Sequence, residues 1–134
     1  MHTFEVATEK REEFVDITRQ VQELVTAAGT RSGIVTVYVP HTTAAVTINE
    51  NADPDVVHDV LLTLRRLIPK DADGYRHAEG NSDAHVKAAM MGASCQVLIE
   101  ANELVLGTWQ GIWFCEFDGP RKRKVHVQIQ PGSA

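Results

Sequence analysis

Between Tyr75 and Met91 the chain reads Tyr-Arg-His-Ala-Glu-Gly-Asn-Ser-Asp-Ala-His-Val-Lys-Ala-Ala-Met-Met. His77 and His85 bracket a Glu-Gly-Asn-Ser-Asp segment that has almost no apolar side chain to give to a core, which is the composition of a site. Asn81, Ser82 and Asp83 are all good helix N-caps, Val86, Ala89 and Met90 make a short apolar stripe, and Gly92 is placed to end the helix. His85 is therefore expected in the first turn of a short helix. His77 and Glu79 are expected in the loop before it, with Gly80 giving the backbone room to turn or to let a ligand come close. Two kinds of chemistry converge there. A helix N-terminus offers unpaired N–H groups and a partial positive charge, worth about 0.3–1 kcal/mol toward an exposed anion, so a phosphate or carboxylate can dock. Neutral imidazoles beside a carboxylate are the raw material of a zinc or similar divalent-metal site. Taken singly, the same histidines read as loop and cap residues bonded to the backbone.

A third histidine follows the β-branched run Gly33 to Val39, which is a strand by composition and is stopped by Pro40. His41, Thr42 and Thr43 then stand at its end, an imidazole followed by two hydroxyls, before a second strand from Ala44 to Ile48. That arrangement suits a third ligand or an anion contact. It also suits a turn whose threonines bond their own backbone.

These residues need a scaffold, and 134 residues with 43% hydrophobic composition suffice for one domain, 1–134, with a core of its own. The formal charge of -5 argues against nucleic acid or an anionic membrane as partner, since such binders carry a basic face. The basic run Arg121 to Lys124 is too short to change that. Met1 to Gln20 mixes charged and apolar residues without a signal pattern, and no apolar stretch approaches the roughly eighteen residues of a membrane span. A cytoplasmic location is expected. Cys95 and Cys115 fall in apolar runs without CxxC spacing and read as reduced core residues.

Thr3 to Thr8 and Phe14 to Ile17 read as strands. Ile17, Val21, Leu24, Val25 and Ala28 follow a helical period, with Asp16 able to cap the start and Gly29 the end. Asp53-Pro54 opens a second helix with Val57, Val60, Leu61, Leu64 and Leu67 as its buried stripe, and Pro69 stops it. His58 falls off that stripe, facing solvent or a subunit contact. Past Gly92, Ser94 to Ile99 and Leu104 to Leu106 form a hairpin about Ala101-Asn102-Glu103, Ile112 to Phe117 resumes the sheet, and Arg123 to Gln130 alternates Val125, Val127 and Ile129 against Lys124, His126 and Gln128. His126 is thus expected on the solvated face, and Pro131 to Ala134 as a frayed end. Three helices outside regular βαβ alternation give an α+β class with mostly antiparallel sheets.

Four motifs in order across nearly the whole chain resemble one family. They are His-Thr-Thr-Ala-Ala-Val-Thr-Ile-Asn-Glu-Asn (41–51) with Asp53-Pro54-Asp55, Tyr75 to His85, Leu106-Gly107-Thr108-Trp109-Gln110, and Asp118-Gly119-Pro120-Arg121. Together they resemble the YjbQ family, also called the secondary thiamine-phosphate synthase family. The hairpin carries Asn102 where family members often have Gly, a small departure because Asn tolerates a left-handed backbone. The resemblance implies a sandwich-like α+β subunit in a homotrimer, with sites near subunit boundaries. It implies a weak or secondary thiamine-phosphate synthase activity that joins a pyrimidine pyrophosphate to a thiazole phosphate and releases pyrophosphate. It also carries the family's motif histidines onto His41, His77 and His85, a set of three with an open fourth position that suits a catalytic divalent metal such as zinc.

Glu79 and Asp83 then stand as orienters of the histidines, ligands or general bases, with His85 the expected center of the chemistry. Thr42, Thr43, Asn81, Ser82 and Arg121 are candidates for contacts to a phosphate or small phosphorylated ligand, Arg121 because its fork matches two oxygens. Trp109 either stacks on a heteroaromatic ring or sits in the core. Three readings compete: this transferase, a metal-dependent hydrolase of a small phosphorylated compound, and a non-enzymatic ligand-binding trimer.

Overall fold

The computed structural model describes residues 1–132. Among them the chain forms eight strands and three helices: β1 His2–Ala7, β2 Glu13–Asp16, α1 Thr18–Ala28, β3 Ser32–Tyr38, β4 Ala44–Glu50, α2 Pro54–Leu67, α3 Ser82–Met91, β5 Ser94–Glu100, β6 Glu103–Leu104, β7 Gln110–Glu116 and β8 Lys122–Pro131. Every pairing is antiparallel. One sheet runs β1-β8-β3-β5-β6 and the other β2-β7-β4. The α+β class and sandwich-like layering expected from the sequence are those of the protein. No helix among the described residues is long and apolar enough to cross a membrane.

The two sheets face each other over a core of Val35, Val37, Val97, Ile99, Val125 and Val127 from the larger sheet against Val46, Ile112 and Phe114 from the smaller. Helix α1 closes this core with Val21 and Val25. Its start is tied by Asp16, whose carboxylate accepts the Thr18 backbone N–H at 2.9 Å, and it ends at Gly29 with φ 66°. The other face of the small sheet buries Ala45, Cys115 and Phe117 against Leu64, Ile68, Ala84 and Ala88 from the region of α2 and α3. The small sheet is thus the middle layer of three. The hairpin turn is as the sequence suggests, with Ala101 and Asn102 both at positive φ, 53° and 61°. Both cysteines are free, and burial pushes the Cys95 thiol up to about 11.

Several expectations are corrected. On α2 only Leu64 of the predicted stripe is buried, while Leu67 is 69% exposed. Val57, Val60 and Leu61 are half-buried, with Val60 packed on the core beside Leu64. On α3 the buried face is Asp83, Ala84, Lys87 and Ala88, whereas Val86 and Met90 are exposed. Charged residues form half of that face because they are paired, so hydrophobic periodicity points to the wrong side. His126 is not simply solvated: its ring stacks on Tyr38 with centroids 6.3 Å apart and its Nδ1 lies 2.8 Å from Thr3 Oγ1. At the expected frayed end, Pro131 closes β8 and Gly132 donates to the Ser32 carbonyl at 2.8 Å. Residues 133 and 134 lie outside the described residues.

Candidate functional site

Where β3 gives way to β4, the connection carrying His41, Thr42 and Thr43 meets the α3 N-terminus and the turn between β7 and β8. They enclose a cavity of about 430 Å³, to which His77, Glu79, Asn81 and His85 contribute from one side and Asp118, Arg121 and Arg123 from the other. The three histidines that the sequence singled out therefore share one pocket, although His41 and His85 stand 44 positions apart. His77 and His85 meet edge to face, ring centroids 5.2 Å apart at 88°. His77 Nε2 lies 3.6 Å from Glu79 Oε2, close enough to share charge when the imidazole is protonated. Gly80, at φ 72°, turns the chain into α3.

The floor is an ion pair set between the two sheets. Arg123 Nε donates to Glu116 Oε1 at 2.9 Å and its Nη2 to Thr43 Oγ1 at 2.9 Å, with a further short contact to Glu116 Oε2. Glu116 also accepts from Thr8 Oγ1 at 2.7 Å and from the Asp118 N–H at 3.1 Å. Every polar atom of this buried carboxylate is thereby occupied, the condition under which a buried charge is tolerated. Thr43 thereby supports Arg123 while also lining the cavity. Thr42 is exposed at the rim. Arg121 is braced by Asp118, donating from Nε to its carbonyl at 2.7 Å and from Nη2 to its carboxylate at 2.8 Å.

His41 is fixed differently from the other two histidines. Its Nε2 accepts the backbone N–H of Lys124 at 2.9 Å. A neutral imidazole has one lone pair and one N–H, so this contact assigns the proton to Nδ1. Burial and then the Arg123 guanidinium hold His41 below its ordinary value, against the opposing pull of Glu116, so it is neutral near pH 7. In this conformation His41 carries its proton on Nδ1 and has no lone pair to give to a metal. Among the described residues no group of three or more His, Cys, Asp or Glu side chains is arranged to hold an ion.

Two candidates fall outside the pocket. Asp83 is fully buried on the opposite side of α3, where Arg11 Nη2 reaches Oδ1 at 3.0 Å and Lys87 Nζ reaches Oδ2 at 3.0 Å. Lys87 also binds Glu12 at 2.8 Å. Burial alone would raise the Asp83 carboxyl, but Arg11 and Lys87 outweigh it and hold it below the usual range. Asp83 thus anchors the helix that carries His85 to the loop between β1 and β2. Ser82 lines a separate cavity of about 490 Å³ with Tyr75, Arg76 and Val86, which shares only His77 and His85 with the first. Trp109 is 62% exposed and lines neither cavity, so it is not a core residue. Of the residues that sequence reasoning passed over, Arg123 had a signal: it precedes Val125 and Val127 at a spacing of two, which puts a charge on the inward face of β8.

The family model described as UPF0047 protein YjbQ-like matches residues 2–132. The chain belongs to the YjbQ-like UPF0047 family. This YjbQ-like chain is 50% identical to the UPF0047 protein MJ1081 of Methanocaldococcus jannaschii over 126 residues, 94% of this chain and 91% of that one. It is 48% identical to the UPF0047 protein YugU of Bacillus subtilis over 129 residues, 96% and 98%. A crystal structure from Clostridium acetobutylicum, described as an uncharacterized conserved protein of the YjbQ/UPF0047 family, superimposes with a TM-score of 0.95 at 52% identity, covering 97% of the YjbQ-like chain and all of its own.

Proposed function

We propose that the chain is an enzyme that holds the phosphate of a small phosphorylated metabolite in the 430 Å³ pocket and moves a proton at the His77–His85 pair. The observation that carries this is the convergence, on one polar cavity, of the α3 N-terminus, Arg121, the His41 Nδ1–H and two further imidazoles. Such groups are donors or cationic, and an oxyanion satisfies them together. Arg121 presents its fork, His41 donates, and His85 is placed to give a proton to a departing oxygen, with Glu79 orienting His77. The neighbouring 490 Å³ cavity, lined by Tyr75 and Val86, leaves room for the organic part of a substrate across the histidine pair.

The reaction that fits the family resemblance is the joining of a pyrimidine pyrophosphate to a thiazole phosphate with release of pyrophosphate. Purified protein given both halves should form thiamine phosphate, and His85→Ala should abolish it while leaving the circular dichroism spectrum unchanged. Phosphate release from either half alone, without joining, would replace the transferase by a hydrolase. A divalent ion, zinc foremost, held by His77 and His85 is the alternative to proton transfer at that pair; His41 can join it only by giving up the Lys124 N–H. Elemental analysis of protein purified without chelator tests it. The partly covered stripe of α2, with exposed Leu67 and a shallow hollow at Val56, Val60 and Leu64, supports assembly as a homotrimer.

A further inference from the structure

Building on the anion pocket just proposed, we infer that Asp118 is a positioning residue for it: its carboxylate sets the Arg121 guanidinium in the attitude that meets a phosphoryl group, and so strengthens the binding of an anion that its own charge repels. Asp118 and Arg121 both line the 430 Å³ cavity. A carboxylate on the wall of an anion site is electrostatically adverse, so its place there needs a cause. The hydrogen bonds supply one. Asp118 occupies two of the five N–H groups of Arg121, with Nε donating to its backbone carbonyl at 2.7 Å and Nη2 to its Oδ2 at 2.8 Å. The N–H groups that remain share the Nη1–Nη2 edge, which matches two oxygens of one phosphoryl group.

Asp118 is itself held from two sides. Its backbone N–H donates to Glu116 Oε2 at 3.1 Å, and Asn81 Nδ2 donates at 2.8 Å to the same Oδ2 oxygen that Arg121 uses. Its side chain is 16% exposed, against 51% for Arg121. The main chain of Arg121 is fixed as well: its N–H donates to Thr8 Oγ1 and its carbonyl accepts the Thr8 N–H, both at 2.9 Å. A half-exposed arginine without such contacts samples many rotamers and gives up that freedom when a ligand arrives, a loss of up to about tenfold in affinity. Here one rotamer is selected before binding, by a carboxylate that the start of α3 and the floor of the pocket hold in place.

Isothermal titration calorimetry of the full chain with sodium phosphate, at pH 7.5 and constant ionic strength, separates the two effects of Asp118 by their sign. If its charge dominated, Asp118→Ala would bind phosphate more tightly than the native protein. Positioning predicts the reverse, a loss of about fivefold. Arg121→Ala is expected to lose about tenfold or more. Adding Asp118→Ala to Arg121→Ala should then cost nothing further, or restore some affinity, because only the repulsion is left to remove. A carboxylate that merely supported the fold would weaken binding by the same factor in both backgrounds. Nitrogen-15 relaxation of Arg121 Nε in the native protein without phosphate needs no variant, and it should give an order parameter of about 0.8, near that of rigid backbone. Unchanged or tighter binding by Asp118→Ala, equal losses in the two backgrounds, or an Arg121 Nε order parameter below about 0.6 overturns the role of Asp118 and leaves the anion pocket standing. Failure of the native protein to bind phosphate removes the pocket reading, and this inference with it.

Discussion

Replacing Lys87 by Met keeps most of the aliphatic stem and deletes a charge that is 1% exposed. The ammonium lies 2.8 Å from Glu12 and 3.0 Å from Asp83, so its loss strands two carboxylates against a single Arg11. Breaking a buried pair from one side costs about 3–5 kcal/mol. Arg11 continues to hold Asp83 through two bonds, at 3.0 and 3.2 Å, which places Lys87→Met near the lower end, about 3 kcal/mol. For a domain of this size that is a fall in Tm of roughly 10 °C. Urea denaturation followed by circular dichroism should show a lower midpoint with an unchanged slope. The double variant Asp83→Asn with Lys87→Met should lose at least about 1 kcal/mol less than the two single losses together, because the residues share one network. The pH dependence has a definite sign. The folded Asp83 carboxyl lies below its ordinary 3.8, so its contribution is present above that value and is lost as pH falls through the folded value. The gap between native protein and Lys87→Met should therefore narrow toward pH 2. A loss under about 1 kcal/mol at pH 7, or a gap that does not change with acid, would refute the assignment of this cluster as the anchor of α3.

Nitrogen-15 NMR should find His41 as the neutral Nδ1–H tautomer at pH 7, titrating below the ordinary 6.5; an Nε2–H tautomer would remove the Lys124 contact from the account. Gly33→Ala would drive a methyl into the Gln130 carbonyl oxygen of the neighbouring strand, and should cost about 1–3 kcal/mol in denaturant titration, against little change for a glycine with open space around it. Light scattering at micromolar concentration should give three times the mass of one chain, and Leu67→Glu on the partly covered face of α2 should reduce it; a monomer mass for the native protein would dispose of the trimer.

The strands and helix ends were legible because each has a local cause: a β-branched run before Pro40, Asp53-Pro54 opening α2, Gly29 and Gly92 closing α1 and α3. The motif histidines were legible by type and company. The function of neighbouring polar residues was less so, because the partner decides it. Asp83 and Asn81 stand two positions apart and both suit an N-cap, yet one is bound to Arg11 and Lys87 away from the pocket and the other lines it. Nothing within the Tyr75 to Met91 stretch announces that Arg11 and Glu12 will fold across it. The buried faces of α2 and α3 were misjudged for related reasons. One is only half covered, and the other buries ions whose charges cancel only in three dimensions.

The pocket is assembled from residues 41–43, 77–85 and 118–123, which no local segment of chain brings together. A ligand that recognises it can bind only the native state, so binding must raise the free energy of unfolding by RT ln(1 + [L]/Kd), about 2.7 kcal/mol when the ligand is at 100 times its Kd. The melting curve is thereby a chemical sensor that needs no knowledge of the reaction. In a panel of phosphorylated metabolites, the compound that shifts it most per unit concentration identifies the occupant. A ligand bound there would link the lifetime of the chain against cellular proteases to its own concentration.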